Sequence, residues 1–192
     1  MGLSRPQAVE QNQAMKIIRR VDFREGRWRN GMGASWDIAA EPPETDDFGW
    51  RFATARIDAD VPFSLYPEVD RIFTLMSGNG LTLDFDGRPP LIVGRRFVPH
   101  YFACDVATSC RLHGGPCRAL NLFTRRGQWT ATAQVFSSGA DVAHGGPILL
   151  FALQGAADVD GQALGEGDAA VAAERVRADT EGFLFAALLE RR

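Results

Sequence analysis

Short runs of alternating apolar and polar residues, separated by glycine-containing turns, constrain this fold more than any other feature. In the run 81–85 (LTLDF) the leucines and the phenylalanine fall on one face, while Thr82 and Asp84 fall on the other, which is the two-residue period of a half-buried strand. The run 72–76 precedes it as a second strand. Gly78-Asn79-Gly80 lies between the two and predicts a hairpin turn, because glycine and asparagine tolerate positive φ. Many short strands at this spacing predict an all-β fold.

The same pattern returns later in the chain. The segment 148–155 resembles 72–78, and the dipeptide Asp160-Gly161 corresponds to Asp86-Gly87. Self-similarity of this kind predicts two related barrels in one chain. We expect the first barrel over residues 15–125 and the second over 126–192, with a shared core, since each half is small for independent stability. Residues 1–14 are expected to form a flexible extension.

Composition excludes several classes of partner. The chain has 21 basic and 24 acidic residues, and this near balance argues against a nucleic-acid partner, which requires a basic face. No apolar run reaches membrane-spanning length, and the first residues lack a signal-peptide core, so no membrane partner is expected. The three cysteines fit neither a zinc pattern nor a disulfide framework, which favours reduced thiols in a cytoplasmic protein.

Common catalytic signatures do not appear in the sequence. A metal site inside a β-barrel needs histidines and a carboxylate that converge from neighbouring strands. His100, His113 and His144 are instead far apart in the sequence. We therefore predict no metal and no cofactor. The chain has no GxSxG elbow, and Gly31-Met32-Gly33 lacks the Lys-Ser/Thr ending of a phosphate loop, so a tight turn is the simpler interpretation there. No catalytic residue is assigned.

Several polar and aromatic residues suit the binding of a small anion. Arginine presents a planar fork to a carboxylate, amides and hydroxyls read further polar atoms, and tryptophans can wall the apolar side of a barrel pocket. Each candidate has a structural alternative: Arg71 could pair with Asp70, Arg51 could be a solvated strand residue, and the tryptophans could belong to the core. The candidate ligand-binding residues are Asn30, Arg51, Ser64, Arg71, Asn121, Trp28 and Trp50.

These candidates fall within motifs that together resemble the HutD/Ves family. The resemblance extends from about residue 15 onward and implies a bicupin, that is, two cupin-like β-barrels of jelly-roll type packed together. Three positions depart from the family pattern: Met32 replaces the middle residue of a usual triple glycine, Ala119 stands where an aspartate is frequent, and His100 is bulkier than usual. The motifs are Arg27-Trp28-Arg29-Asn30-Gly31-Met32-Gly33, Trp50-Arg51, Pro62-Phe63-Ser64, Asp70-Arg71, Asn121-Leu122 and Arg125-Arg126-Gly127.

The resemblance also implies a function. It indicates a small-carboxylate-binding protein that senses or regulates histidine catabolism, with a ligand similar to urocanate or formylglutamate. One alternative is a cupin-type enzyme, an isomerase, lyase or hydrolase, in which His100 or Asp84 would carry out acid–base chemistry. Another is a homodimer that serves as an interaction scaffold. Turnover would identify the enzyme, and size in solution would test the dimer.

Overall fold

The structure, a computed structural model, describes residues 15–28, 31, 33–43, 45 and 47–192. Within these residues the chain forms nineteen β-strands and one short 3-10 helix at Arg20–Asp22, which confirms the all-β prediction. The predicted extension at residues 1–14 lies outside the described residues. The strands are β1 (Lys16–Ile18), β2 (Arg24–Arg27), β3 (Ala34–Glu41), β4 (Trp50–Ile57), β5 (Val61–Pro62), β6 (Val69–Ser77), β7 (Leu81–Phe85), β8 (Leu91–Val93), β9 (Pro99–Ala103), β10 (Thr108–Leu112), β11 (Cys117–Arg125), β12 (Trp129–Phe136), β13 (Ala140–Ala143), β14 (Ile148–Gln154), β15 (Ala157–Val159), β16 (Gln162–Leu164), β17 (Ala169–Ala172), β18 (Arg175–Thr180) and β19 (Phe183–Arg191).

The strands form four antiparallel sheets that pair into two barrels. In the first barrel a six-stranded sheet, in the order β2-β3-β4-β11-β6-β9, packs on a four-stranded sheet, β5-β10-β7-β8. In the second barrel a five-stranded sheet, β1-β17-β14-β19-β12, packs on a four-stranded sheet, β13-β18-β15-β16. Because β1 pairs with β17, the start of the described chain adds a strand to the second barrel. The domain limits at residues 125 and 126 stay a prediction.

The alternation predicted for β7 is confirmed, but the hairpin predicted between β6 and β7 is wrong. Leu81 and Leu83 are fully buried inside the first barrel. However, β6 pairs with β9 and β11, whereas β7 pairs with β8 and β10. Gly78 and Gly80 have φ values of 103° and 100°, and a Cβ atom at Gly78 would lie 2.6 Å from the Cys117 Sγ. The glycines therefore make a tight corner that carries the chain from one sheet to the other.

A shared apolar core joins the two barrels. Alternation along β4, β6 and β11 directs Phe52, Ile72 and Leu122 out of the first barrel and toward the second. The Phe52 ring is fully buried, and its centroid lies 6.3 Å from that of Phe151 and 5.9 Å from that of Phe185. The barrels therefore bury one face of each large sheet against the other.

The interiors of the two barrels differ in polarity. Leucine, isoleucine, valine and alanine side chains fill the second barrel, as in the cluster around Leu150, Val159 and Leu164. The first barrel has an apolar cluster too, but its inner face also buries Arg71 and Asn121. Buried polar groups cost free energy unless they are hydrogen-bonded. A site for a polar ligand is therefore expected in the first barrel.

Candidate functional site

A buried arginine lies on the inner face of the first barrel. Arg71, on β6, is 7% exposed, and its Nε and Nη2 atoms both donate to Oδ1 of Asn121, at 2.9 and 2.6 Å. In the described part of the chain no carboxylate forms an ion pair with Arg71. Burial lowers the pKa of this guanidinium, yet arginine stays protonated in proteins at neutral pH. The barrel thus holds a positive charge against a neutral amide.

Four phenylalanine rings surround this guanidinium. The Arg71 Cζ atom lies 4.6 Å from the ring centroid of Phe63, 5.0 Å from Phe123, 5.1 Å from Phe73 and 5.6 Å from Phe102. Aromatic faces attract cations but do not neutralise them. A desolvated cation without a counter-ion is costly, so an anion that reached this position would be strongly stabilised.

A small pocket in the first barrel opens onto Arg71. Its volume is about 40 Å³. A pocket of this size is suited to one small polar group, such as a carboxylate, and not to a whole metabolite. The lining residues come from β3, β4, β6 and β11 and from the segments around residues 28 and 64: they are Trp28, Ser35, Arg51, Ala53, Thr54, Ala55, Phe63, Ser64, Tyr66, Arg71, Asn121 and Phe123.

The structure brings together most of the residues that the sequence analysis proposed for one site. Asn30 lies outside the described residues. Trp50 is described but lies elsewhere: it is buried in the core between the barrels, and its Nε1 donates to Glu41 Oε2 at 3.2 Å. Because Trp50 and Arg51 are neighbours on β4, their side chains point to opposite faces of the sheet, and Trp50 cannot share this cavity. The proposed residues that do line the pocket are Trp28, Arg51, Ser64, Arg71 and Asn121.

The two arginines of the pocket differ in their partners. Arg51 forms an ion pair with Asp37, in which its Nε and Nη2 atoms are 2.7 and 2.6 Å from Oδ1 of the aspartate. The alternative that Arg71 pairs with Asp70 is wrong, since Asp70 accepts instead from Nη1 of Arg126 at 3.2 Å. Neighbouring strand residues point to opposite faces, which separates Asp70 from Arg71. Arg71 is therefore the arginine of this pocket whose charge is available to a ligand.

Trp28 forms one wall of the pocket. Its ring stands edge-on to Phe63, with the centroids 5.5 Å apart, and its Nε1 donates to the Ala34 carbonyl at 3.1 Å. A Cβ atom at Gly33 would lie 2.6 Å from the indole. Gly31, with φ at 72°, donates its N–H to the Trp28 carbonyl at 2.8 Å, so the glycines here serve a turn, as predicted. The turn places the indole against the pocket.

Ser35 and Tyr66 line the pocket, although the sequence analysis did not single them out. Ser35 is 6% exposed, and its Oγ has no hydrogen-bond partner among the described residues. The strand period places Ser35 on the same face of β3 as Asp37, but the contact of Asp37 with Arg51, which connects this face to the pocket, is visible only in the structure. Tyr66 is buried in a loop, with its ring centroid 5.6 Å from that of Phe123, and the loop has no period to reveal it.

The residues considered for acid–base chemistry lie outside this pocket. His100, on β9, lies opposite Phe73 of β6, and burial lowers the pKa of its imidazole. Asp84 accepts from Nε of Arg111 at 2.6 Å, and this hydrogen bond lowers the pKa of its carboxyl group. Burial raises the pKa of the Cys104 thiol to about 11, so it is protonated at neutral pH. Across the described residues, no group of three or more histidine, cysteine or acidic side chains could hold a metal ion.

Comparison with known proteins identifies the family. The family model named HutD matches residues 20–185. The chain belongs to the HutD family. A relative described as an uncharacterized 21.2 kDa protein in the hutC 3' region of Pseudomonas putida is 33% identical over 148 residues, which cover 72% of this chain and 73% of the relative. Protein Ves of Citrobacter koseri is 36% identical over 109 residues, or 56% of each chain.

Solved structures confirm the fold of this HutD-family chain. HutD from Pseudomonas fluorescens SBW25, in a formate condition, superposes with a TM-score of 0.83 at 27% identity and covers 93% of this chain and 100% of its own. An oxalate decarboxylase structure gives a TM-score of 0.64 at 8% identity, covering 97% of this chain and 84% of its own, a likeness of fold alone. The architecture is that of a bicupin, as the resemblance implied.

In the described part of the chain, we find no helix with the length and apolar character needed to cross a membrane.

Proposed function

We propose that this protein binds a small carboxylate in the Arg71 pocket and acts as a sensor or regulator of histidine catabolism. The observation that carries the proposal is the buried guanidinium of Arg71, whose Nη1 donors have no partner among the described residues. Charge-assisted bonds from arginine to carboxylate are among the strongest hydrogen bonds in proteins. Membership of the HutD family and the relative in the hutC 3' region support the link to histidine utilisation.

The surrounding groups would read the rest of the ligand. In this proposal Arg71 Nη1 donates to one carboxylate oxygen, and the Asn121 amide, whose oxygen is already occupied by Arg71, donates from Nδ2 to the ligand. The unpartnered hydroxyl of Ser35 offers a further hydrogen bond. Trp28 and Phe63 would exclude water, which strengthens the electrostatic attraction. The ligand class is that of urocanate or formylglutamate.

Binding is favoured over catalysis by the chemistry of the lining. Among the described residues that line the pocket, none is a histidine, a cysteine or a carboxylic acid. General acid–base catalysis needs a group that titrates near the working pH within hydrogen-bond reach of the substrate. The pocket supplies a cation, an amide and hydroxyls instead, a set that orients a ligand without exchanging protons with it at neutral pH.

A thermal-shift screen tests the proposal. The ligands are urocanate, formylglutamate, formiminoglutamate, glutamate and histidine, and the proteins are the wild type, Arg71→Gln and a control, Arg56→Gln, whose side chain is exposed and paired with Asp58. A ligand at a hundred times its Kd stabilises by about 2.7 kcal/mol, which raises Tm by about 5–10 °C in a chain of this size. We expect such a shift in the wild type and in Arg56→Gln and none in Arg71→Gln. No shift with any of the five ligands would contradict the proposal.

A further inference from the structure

A second, larger cavity lies between the two barrels, on the opposite face of β4 and β11 from the Arg71 pocket. Its volume is about 420 Å³, within the range of roughly 300–1,000 Å³ that is typical of small-molecule sites. Among the described residues that line the two cavities, Thr54 alone is common to both. What this inter-barrel cleft binds is therefore a separate question from the function proposed above.

The inter-barrel cleft carries an excess of positive charge. Arg20, Arg96 and Arg118 line it, while Glu166 is the acidic side chain among its described lining residues. The Glu166 carboxylate already accepts from the Gly155 N–H at 3.0 Å. A concave surface lined by one sign of charge concentrates ligands of the opposite sign. The cleft therefore favours anions.

Arg118 is the cleft residue that most clearly favours an anionic ligand. Its Nε atom is buried without a hydrogen-bond partner among the described residues. Directly across the strand pair, on β4, lies Arg56, and like charges in such positions repel each other. Burial, followed by the charges of Arg20 and Arg56, lowers the pKa of the Arg118 guanidinium. Arg56 forms an ion pair with Asp58 at 2.7 Å. The neighbouring charges that lower the pKa of Arg118, by contrast, belong to other arginines.

Four aromatic side chains contribute to the walls of the inter-barrel cleft. Phe97 has a φ of 65°, a region that bulky side chains rarely adopt, and its backbone is held there by a hydrogen bond from its N–H to the Leu75 carbonyl at 2.9 Å. Its ring packs on Phe183 with the centroids 4.8 Å apart, and the Arg96 Cζ lies 5.4 Å from the Phe97 centroid. The aromatic residues that line the cleft are Phe23, Trp36, Phe97 and Phe151.

We propose that the inter-barrel cleft binds a dianion that carries a flat ring, the chemistry that a mononucleotide presents. A phosphate group would accept hydrogen bonds from Arg118 Nε and from the neighbouring arginines, which bind phosphate through planar forks. A flat ring would pack against the aromatic walls. An apolar ligand would form no hydrogen bond with Arg118. An inorganic anion would have no ring to pack against the aromatic side chains of the cleft.

Calorimetric titration at low salt tests this proposal with AMP, adenosine and inorganic phosphate as probes. Adenosine lacks the charge and inorganic phosphate lacks the ring, so each is expected to bind at least about tenfold more weakly than AMP. Hydrogen bonds to charged groups are worth about 1.5–3 kcal/mol, so Arg118→Gln should weaken AMP binding by about 10- to 150-fold. Arg175→Gln, an exposed arginine of the second barrel that pairs with Asp141, is the matched control and should leave AMP binding unchanged.

One further variant distinguishes loss of binding from loss of folding, and one further readout distinguishes the inter-barrel cleft from the Arg71 pocket. Arg96 is exposed, so Arg96→Gln is expected to leave folding intact and still to weaken AMP binding severalfold. Carboxylate-induced thermal shifts at the Arg71 pocket should persist in Arg118→Gln, because the two sites are distinct. Any of three results would overturn the proposal: no binding of AMP to the wild type, equal affinity for AMP and inorganic phosphate, or unchanged AMP affinity in Arg118→Gln.

Discussion

The substitution Asn121→Asp tests directly whether Arg71 lacks a counter-ion. The two side chains have nearly the same shape, and Oδ1 of Asn121 already accepts from Nε and Nη2 of Arg71 at 2.9 and 2.6 Å. The substitution therefore puts a carboxylate in contact with the guanidinium without requiring a shift of β11. We expect the folded protein to become more stable and the pocket to lose its affinity for added carboxylates, because the introduced group takes their place.

The magnitude follows from three terms. Changing the acceptor from neutral to charged adds about 1 kcal/mol to each of the two hydrogen bonds. The attraction between unit charges about 4 Å apart is roughly 4 kcal/mol at an effective dielectric constant of 20. These gains overlap, and removing the new carboxylate from water costs several kcal/mol, whereas Arg71 is desolvated already. We therefore expect a net stabilisation of about 1–3 kcal/mol, or a rise in Tm of about 3–10 °C.

Differential scanning calorimetry measures this change, with Gln134→Glu as the control. Gln134 is exposed on β12, so a carboxylate there should leave Tm nearly unchanged. The gain in Asn121→Asp requires an ionised carboxylate: it is fully present above the ordinary aspartate pKa of about 3.9 and is lost as the pH falls below that value. A destabilisation of about 3 kcal/mol or more at neutral pH would show instead that Arg71 does not act as a cationic partner for the new carboxylate.

Two further predictions concern the wall of the pocket and the buried thiols. Gly33→Ala would place a Cβ atom 2.6 Å from the Trp28 indole and so displace the ring. We expect carboxylate affinity, measured by calorimetry, to fall about tenfold or more, with a Tm change of only a few degrees. Unchanged affinity would show that the indole does not form the wall of the pocket. Burial raises the pKa of Cys104 to about 11 and that of Cys110 to about 12, so the folded chain holds these protons more tightly than the unfolded chain does. The stability that these protonated thiols contribute is therefore full below about pH 9 and is lost as the pH rises toward 11–12. The urea midpoint of the wild type should therefore be lower at pH 10.5 than at pH 8, and the decrease should be smaller in Cys110→Ala. Equal decreases in the wild type and in Cys110→Ala would contradict this prediction.

Local patterns predicted the elements of the fold better than their pairing. Alternation in β7 correctly indicated that Leu81 and Leu83 are buried, because a strand presents every second side chain to the same face. The partner of that strand could not be read from the turn residues. Gly78 and Gly80 permit a sharp turn, but whether the chain reverses within a sheet or crosses to the facing sheet depends on which strands lie nearby.

The candidate site was predicted in part for a similar reason. Family motifs drew attention to Arg71 and Asn121, but their hydrogen bonds join residues 50 positions apart, and no local pattern encodes this contact. The strand period could have excluded Trp50, since it must face away from Arg51. What the sequence could not supply is the charge balance, because it depends on which acids reach Arg71 in three dimensions.

A crystal structure of the protein with the carboxylate that gives the largest thermal shift would show directly whether Arg71 binds the ligand. We expect the ligand's carboxylate inside the first barrel, with an oxygen about 3 Å from Nη1 of Arg71 and the rest of the molecule directed past Arg51. A carboxylate bound in the inter-barrel cleft or elsewhere, with water alone beside Arg71, would contradict it.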